Sequence, residues 1–292
     1  MLKAAAFTYH APGSSAEAVS LLAELGPDVE TKVLAGGQSL VPLMALRLTQ
    51  PDHLVDLNGL AAEIGGLDVR DGVLRIGAMV RQRAAERSLL VAAACPLLAE
   101  ALPHWAHPQV RTRGTLGGSL AHADPAAEWP AIALAVDAEV VLLGPAGERR
   151  VPTPEFIHGF LSTAIAPDEI LTRIDVPVPR AGTGHCFLEV SRRRGDFAMV
   201  AVAVSVAVDA GEIVTAAVAL AGVAPTPVRA RRCEQLLRGA KPAADVVDQA
   251  AAAVVEDILP QDDLHATAAY RRLVAQSLTR RALETAIARA RS

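Results

Sequence analysis

Two short stretches of the chain pair glycines in a way that suits phosphate chemistry: Ala35-Gly36-Gly37-Gln38-Ser39-Leu40 and Thr115-Leu116-Gly117-Gly118-Ser119-Leu120. Residues without a Cβ reach backbone torsions closed to others and let a ligand approach the main chain closely. An apolar strand, Lys32-Val33-Leu34-Ala35, leads into the first pair, and a helix is expected to follow it. The free N–H groups of that helix's first turn would then point at one spot, aided by the positive end of its dipole. Such a spot attracts an anion, above all a phosphate. Two matching cradles in one chain fit one diphosphate held between two lobes. Neither stretch reads as G-x-G-x-x-G or G-x-x-x-x-G-K-[ST], which disfavours a Rossmann dinucleotide site and a P-loop NTPase. Gly117-Gly118-Ser119-Leu120-Ala121 also fails the G-x-S-x-G pattern of a hydrolase elbow.

Other reactive side chains read more plainly. His104 and His107 have a spacing metals use, yet Pro103 and Pro108 bracket them and no third ligand is evident, so no metal site is assigned. His122 and Asp124 flank the second glycine stretch, where Asp124, just before Pro125, reads as a helix cap rather than half of an acid–base pair. Cys95, Cys186 and Cys233 stand alone and read as small buried hydrophobes, with no spacing for zinc or an iron–sulfur cluster. Arg192-Arg193-Arg194 is either a solvated charge run or a group that positions the loop carrying Phe197 or meets a partner. No Ser/His/Asp constellation has a plausible context, and no catalytic side chain is assigned.

These residues need a scaffold. Ser14-Ser15-Ala16-Glu17 has capping-box spacing and opens a helix that Gly26-Pro27 ends. The strand at 32–35, a helix near 39–48 and a strand at 53–57 form an α/β unit. A hairpin over 64–78 turns at Asp71-Gly72, and helices are expected near 83–94, 96–105 and 125–135, with a glycine-rich loop over 114–123. Further strands are read at 139–143, 149–152 and 170–176. Residues 177–184 form a linker, and long apolar strands at 199–208 and 213–223 precede an Ala-rich helical tail. The 292 residues suggest two domains or three small pieces, and 51% hydrophobic content excludes a disordered chain. With 28 basic against 32 acidic residues the net charge is −4, which argues against nucleic-acid binding. The mean hydropathy of +0.30 is high, but the apolar stretches are broken by polar residues as in buried strands. The start, Met1-Leu2-Lys3-Ala4-Ala5-Ala6-Phe7, has an apolar run too short for a signal peptide, so a soluble, cytoplasmic protein without a membrane span is expected.

The two glycine stretches, with Asp168-Glu169-Ile170-Leu171 and Arg193-Arg194-Gly195-Asp196-Phe197-Ala198, resemble the FAD-binding medium subunit of the molybdenum hydroxylases. That family includes xanthine dehydrogenases and aerobic carbon monoxide dehydrogenases. The resemblance covers essentially the whole chain, in family order and spacing. It implies an α+β fold: a two-lobed FAD-binding domain of the PCMH type, then a smaller C-terminal domain of sheet plus helices. The expected boundaries are 1–58 and 59–178 for the two FAD-binding subdomains and 184–292 for the C-terminal domain.

The resemblance further implies that FAD is wrapped by Lys32, Val33, Leu34, Ala35, Gly36, Gly37, Gln38, Ser39 and Leu40. Thr115, Gly117, Gly118, Ser119 and Ala121 would enclose it from the other side. Ala127 and Glu128 would meet sugar and ribityl hydroxyls, Leu171 would lie against the cofactor, Trp105 near its adenine side and Phe197 beside the flavin ring. The family's partners are a small subunit with 2Fe-2S clusters and a large subunit with the molybdopterin cofactor, as a dimer of heterotrimers. Electrons would run from the clusters through FAD to an external acceptor such as a quinone, oxygen or NAD. Some positions depart from relatives: Glu128 stands where many have Asp, Leu188 where animal xanthine dehydrogenases have Lys, and Gln38 where some carbon monoxide oxidisers have His. The substrate is therefore left open. Two rival readings are a self-sufficient reductase resembling the enolpyruvylglucosamine reductases and a flavin-free scaffold subunit.

Overall fold

The computed structural model describes residues 3–291, so Met1 and Leu2, where the reading of the chain's start falls, lie outside it. The first sheet is parallel. Strand β1 (Thr8–His10), helix α1 (Ser15–Leu25), strand β2 (Thr31–Leu34), helix α2 (Leu40–Ala45) and strand β3 (His53–Asp56) give the order β1-β3-β2. The Ser14 hydroxyl accepts from the Glu17 N–H at 3.1 Å, as the capping box requires, but Glu17 reaches back to the Gly13 N–H at 2.7 Å. Helix α1 buries Ala18, Val19 and Leu22 and stops at Gly26, whose φ of 72° no side chain shares cheaply. Helix α2 is shorter than the expected 39–48, because the chain turns out at Arg47 with φ 59°.

After the short helix α3 (Ala61–Ile64) the sheet type changes. Strands β4 (Leu67–Arg70) and β5 (Val73–Gly77) form the expected hairpin, with Asp71 and Gly72 both at positive φ as a tight turn demands. The helical stretch that follows is broken into α4 (Gln82–Glu86), α5 (Leu89–Ala94) and α6 (Pro96–Ala101). Ser88 makes the first break by capping α5 through the Val91 N–H. Helices α7 (Pro108–Arg111), α8 (Leu116–His122) and α9 (Glu128–Ala135) come next. Strands β6 (Glu139–Gly144) and β7 (Gly147–Pro152), helix α10 (Thr153–Phe156), the small strands β8 (Ile157–Gly159) and β9 (Ser162–Thr163), and strand β10 (Ile170–Pro177) complete this part. Its main sheet is antiparallel in the order β4-β5-β10-β6-β7. Trp129, Phe156, Ile76 and Leu120 are sealed in its core.

A third sheet, antiparallel, consists of β11 (Thr183–Ser191), β12 (Ala198–Asp209), β13 (Glu212–Ala221) and β14 (Val228–Arg229). Helices α11 (Arg231–Leu237), α12 (Ala244–Ala253) and α13 (Ala268–Arg291) cover one face. Side chains alternate across a strand with period two, and β12 uses this to serve two cores. Val200, Val202, Val204 and Val206 face the helices, while Ala201 and Ala203, with Ala219 and Ala221 of β13, join the core of the preceding domain. Alanine on that face lets the sheet lie close against α9. The Gly222 N–H donates to the Pro125 carbonyl at 2.9 Å, tying the third sheet to the α8–α9 junction. Among the described residues no helix is long and apolar enough to cross a membrane.

Candidate functional site

The first glycine turn follows β2 directly. Gly37 takes φ 73°, and a Cβ on Gly36 would lie 2.4 Å from the Arg113 carbonyl oxygen and 2.8 Å from Gly114 Cα. The turn is thus pressed against the backbone that leads into the second glycine stretch. The first bond of α2 runs from the Val41 N–H to the Gly37 carbonyl at 3.0 Å. Among the described residues the N–H groups of Gln38, Ser39 and Leu40 find no acceptor, so they remain for a ligand. Lys32 and Val33 are exposed on the edge strand, Leu34, Ala35, Ser39 and Leu40 are half-buried, and the exposed Gln38 donates its side-chain amide to the Gly36 carbonyl. Leu34, Gly36, Gly37, Gln38 and Arg113 line a cleft of about 340 Å³.

The second stretch is not the loop the sequence suggests but the first turn of α8. Its amides are committed: Leu116 donates to the Val80 carbonyl, Gly117 to that of Ala78, and Gly118 to the Thr115 hydroxyl at 3.1 Å. Its glycines serve close approach instead. A Cβ on Gly117 would meet Ala78 Cβ at 2.6 Å, and one on Gly118 would meet Thr115 Oγ1 at 2.7 Å and Ala35 Cβ at 3.5 Å. The two cradles are therefore unequal. The first offers amides, and the second offers a surface on which Ser119 and Ala121 are half-buried.

Polar residues that the sequence reading passed over join these segments. The Asn58 side-chain amide donates to the Ala35 carbonyl at 2.9 Å, and its oxygen accepts from Arg81 Nη2 at 2.6 Å. Arg81 Nη1 donates to the Arg113 carbonyl, and the Gln82 N–H to that of Gly114. Asp56 holds Asn58 in place, accepting from its N–H at 2.8 Å and from the Tyr9 hydroxyl at 2.7 Å. No local motif marks any of them.

The remaining candidates lie at the far side of α8 and in the third sheet. Asp124 accepts from the Ala126 N–H at 2.8 Å in a turn of its own rather than capping α9, whose N-cap is Ala127. Glu128, 6% exposed in the first turn of α9, is pushed up to about 8 by burial, with Glu189 and Asp124 adding repulsion. Its carboxyl is thus protonated at neutral pH and can donate a hydrogen bond. Leu171 is buried in β10. Trp105 is 2% exposed and packs on Trp129 with ring centroids 5.9 Å apart, so its ring belongs to the core and not to the cleft surface. Phe197 is 60% exposed and so is not an anchor of the core. Its turn is seated on Ala106 and His107, since a Cβ on Gly195 would lie 2.8 Å from His107 Nδ1 and 3.0 Å from the Ala106 carbonyl. That seat is held by buried Arg111, which donates to the Trp105 and Ala106 carbonyls and pairs with Glu86. His104 and His107 go separate ways, His104 lying 3.6 Å from Glu189. The three cysteines are buried free thiols, Cys95 pushed up to about 12 by burial.

The raised Glu128 carboxyl has a measurable consequence. Between pH 4.5 and 8 the folded state holds a proton that the unfolded state has released, so stability falls as pH rises. The contribution approaches about 1.4 kcal/mol per pH unit. Glu128→Gln should remove this slope, and denaturant titrations of both proteins across that range would show parallel curves if Glu128 does not titrate this way.

Two lobes that press an amide-bearing glycine turn onto a second glycine segment, with a third sheet packed against the second lobe, define a cofactor-binding α+β protein. Residues 5–179 match the family model described as "FAD binding domain in molybdopterin dehydrogenase", and residues 185–286 match "CO dehydrogenase flavoprotein C-terminal domain". The chain belongs to the family of FAD-binding medium subunits of molybdenum hydroxylases. It is 40% identical to the carbon monoxide dehydrogenase medium chain of Hydrogenophaga pseudoflava, over 97% of this chain and 98% of that one. It is 37% identical to the caffeine dehydrogenase subunit beta of Pseudomonas sp. (strain CBB1), over 98% and 96% respectively. The structure of the Hydrogenophaga carbon monoxide dehydrogenase superposes with a TM-score of 0.95 at 41% identity, covering 98% of this chain and 99% of the other.

Proposed function

We propose that FAD lies with its diphosphate between the Lys32–Leu40 segment and the Thr115–Ala121 segment, and that this chain passes electrons to an external acceptor. The observation that carries the reading is the first glycine turn: open amides at Gln38, Ser39 and Leu40 beside a cleft that a side chain at Gly36 would destroy. Those residues fit a diphosphate, because amides that lack an internal acceptor form charge-assisted bonds to phosphate oxygens. When bound, the flavin supplies the two-electron chemistry. The chain's part is to hold and shield it. Ser119 and Ala127 lie where hydroxyls of the cofactor's sugar and ribityl chain would pass, and protonated Glu128 can donate to one of them. Leu171 supplies apolar packing. Phe197, exposed on its seat, would lie beside the flavin ring and limit access to one face. Trp105 contributes from beneath, as core support near the adenine end.

The sequence divisions at 58 and 178 follow the ends of the first two main sheets and 184 falls at the start of the third, which supports reading them as two subdomains and a C-terminal domain. Electrons would arrive from 2Fe-2S clusters of a small subunit, fed by a molybdopterin centre in a large one, in a cytoplasmic dimer of heterotrimers. The relatives support the presence of partner subunits, being medium chains or lettered subunits of dehydrogenases. Native purification is expected to yield two further chains, one with iron and one with molybdenum. Flavin released by denaturation should run as FAD on chromatography; FMN, or a metal-free chain complete in catalysis, would overturn the reading.

A further inference from the structure

Outside the glycine turn, Arg113 lines the cleft, and Arg81 reaches the Arg113 carbonyl from beside it. Arg113 is exposed, lines the cleft, and has no carboxylate partner among the described residues. Arg81 is half-buried across from it, spending one nitrogen on the Asn58 oxygen and another on the Arg113 carbonyl. The carboxylate beside them, Asp56, is occupied by the Tyr9 hydroxyl and the Asn58 amide. Two like charges at one cleft repel, and the Arg113 charge, after burial, lowers the Arg81 pKa. Like charges kept close, with the neighbouring Asp56 offsetting them only in part, are what an anion site looks like before its anion arrives.

The geometry points to a second role for this pair: Arg81 and Arg113 form the cationic wall of the diphosphate site, and the Asn58–Arg81 bond sets the spacing of its two lobes. Asn58 grips the carbonyl of Ala35, and Arg81 grips that of Arg113, so one hydrogen-bonded link spans the two segments that would embrace the diphosphate. Lysine could supply the charge at Arg81 but not two diverging donors in one plane. This inference rests on the FAD reading and adds residues to it.

The test uses the full-length chain stripped of flavin, titrated with riboflavin, FMN and FAD by flavin fluorescence at low and high salt. Arg113→Gln is the main variant, since an exposed side chain can be changed without disturbing the fold. It is expected to weaken FAD and FMN about ten-fold at low salt, to leave riboflavin unchanged, and to lose most of that effect at high salt, where screening removes the charge contribution. Arg81→Lys and Asn58→Ala should weaken FAD more than FMN, because only FAD's diphosphate must be gripped from both lobes. Equal FAD affinity in wild type and Arg113→Gln, or equal loss for riboflavin and FAD, would overturn the inference and leave the FAD reading standing. Absence of FAD binding by the wild-type chain would overturn that reading and this inference together.

Discussion

Gly37→Val is expected to abolish FAD binding while the protein still folds. Gly37 sits at φ 73°, a region that costs a β-branched residue most, and its Cβ would crowd Val41 Cγ2 at 3.1 Å and Leu34 Cδ1 at 3.2 Å. Both neighbours are side chains, so the turn can relax by moving off its native torsions. That movement turns the amides of Gln38, Ser39 and Leu40 away from the cleft. Losing two or three charge-assisted bonds of about 1.5–3 kcal/mol each should cost at least about 100-fold in affinity. Gly36→Val should behave differently. Its Cβ meets backbone at 2.4 Å, so the two lobes must separate and stability should fall with affinity. Gly118→Val lies between, because it evicts the Thr115 hydroxyl that caps α8. Flavin titration and thermal melts on the three variants separate these outcomes. Near-native affinity in Gly37→Val would remove the turn from the site.

Phe197→Ala should change the rate at which acceptors or oxygen reoxidise the reduced protein, with flavin content and melting temperature near wild type. A buried phenylalanine truncated to alanine loses about 3–5 kcal/mol. At 60% exposure Phe197 has little packing to lose, and a change within about 0.5 kcal/mol is expected. The turn that carries it nevertheless packs closely, because Gly195 rests on the Ala106–His107 seat that Arg111 holds. An exposed aromatic on a closely packed turn suits control of access to a face rather than affinity. Stopped-flow reoxidation, flavin occupancy and melting on one sample decide the matter. A destabilised variant with unaltered reoxidation would return Phe197 to a structural role.

Much of the frame was legible from local pattern. The Asp71-Gly72 hairpin, the capping at Ser14 and the Val/Ala alternation of β12 each follow from torsions and periodicities set by neighbours in sequence. The paired glycines were legible as points of close approach, and their order along the chain was enough for a family resemblance that the comparisons bear out. What the pattern at Gly117-Gly118 could not reveal is where its amides go. Ala78 and Val80, nearly forty positions earlier, claim them, so a stretch that reads like the first cradle works as a packing surface.

Sequence by itself thus determined many of the strands and turns, the positions of close backbone approach, and that the chain belongs among these flavoprotein subunits, but not that 116–122 is a helix. Tertiary structure alone decided which polar atoms meet. Asn58 finds Ala35 across 23 positions and Arg81 finds Arg113 across 32, pairings that no local spacing encodes. It also decided burial: Glu128 became a neutral acid by enclosure near Glu189, Trp105 went into the core, and Phe197 stayed in solvent on its seat. The physical reason is the range of the forces. Backbone torsion and side-chain periodicity act over a few residues, whereas desolvation and hydrogen-bond satisfaction depend on whatever the packed chain brings alongside.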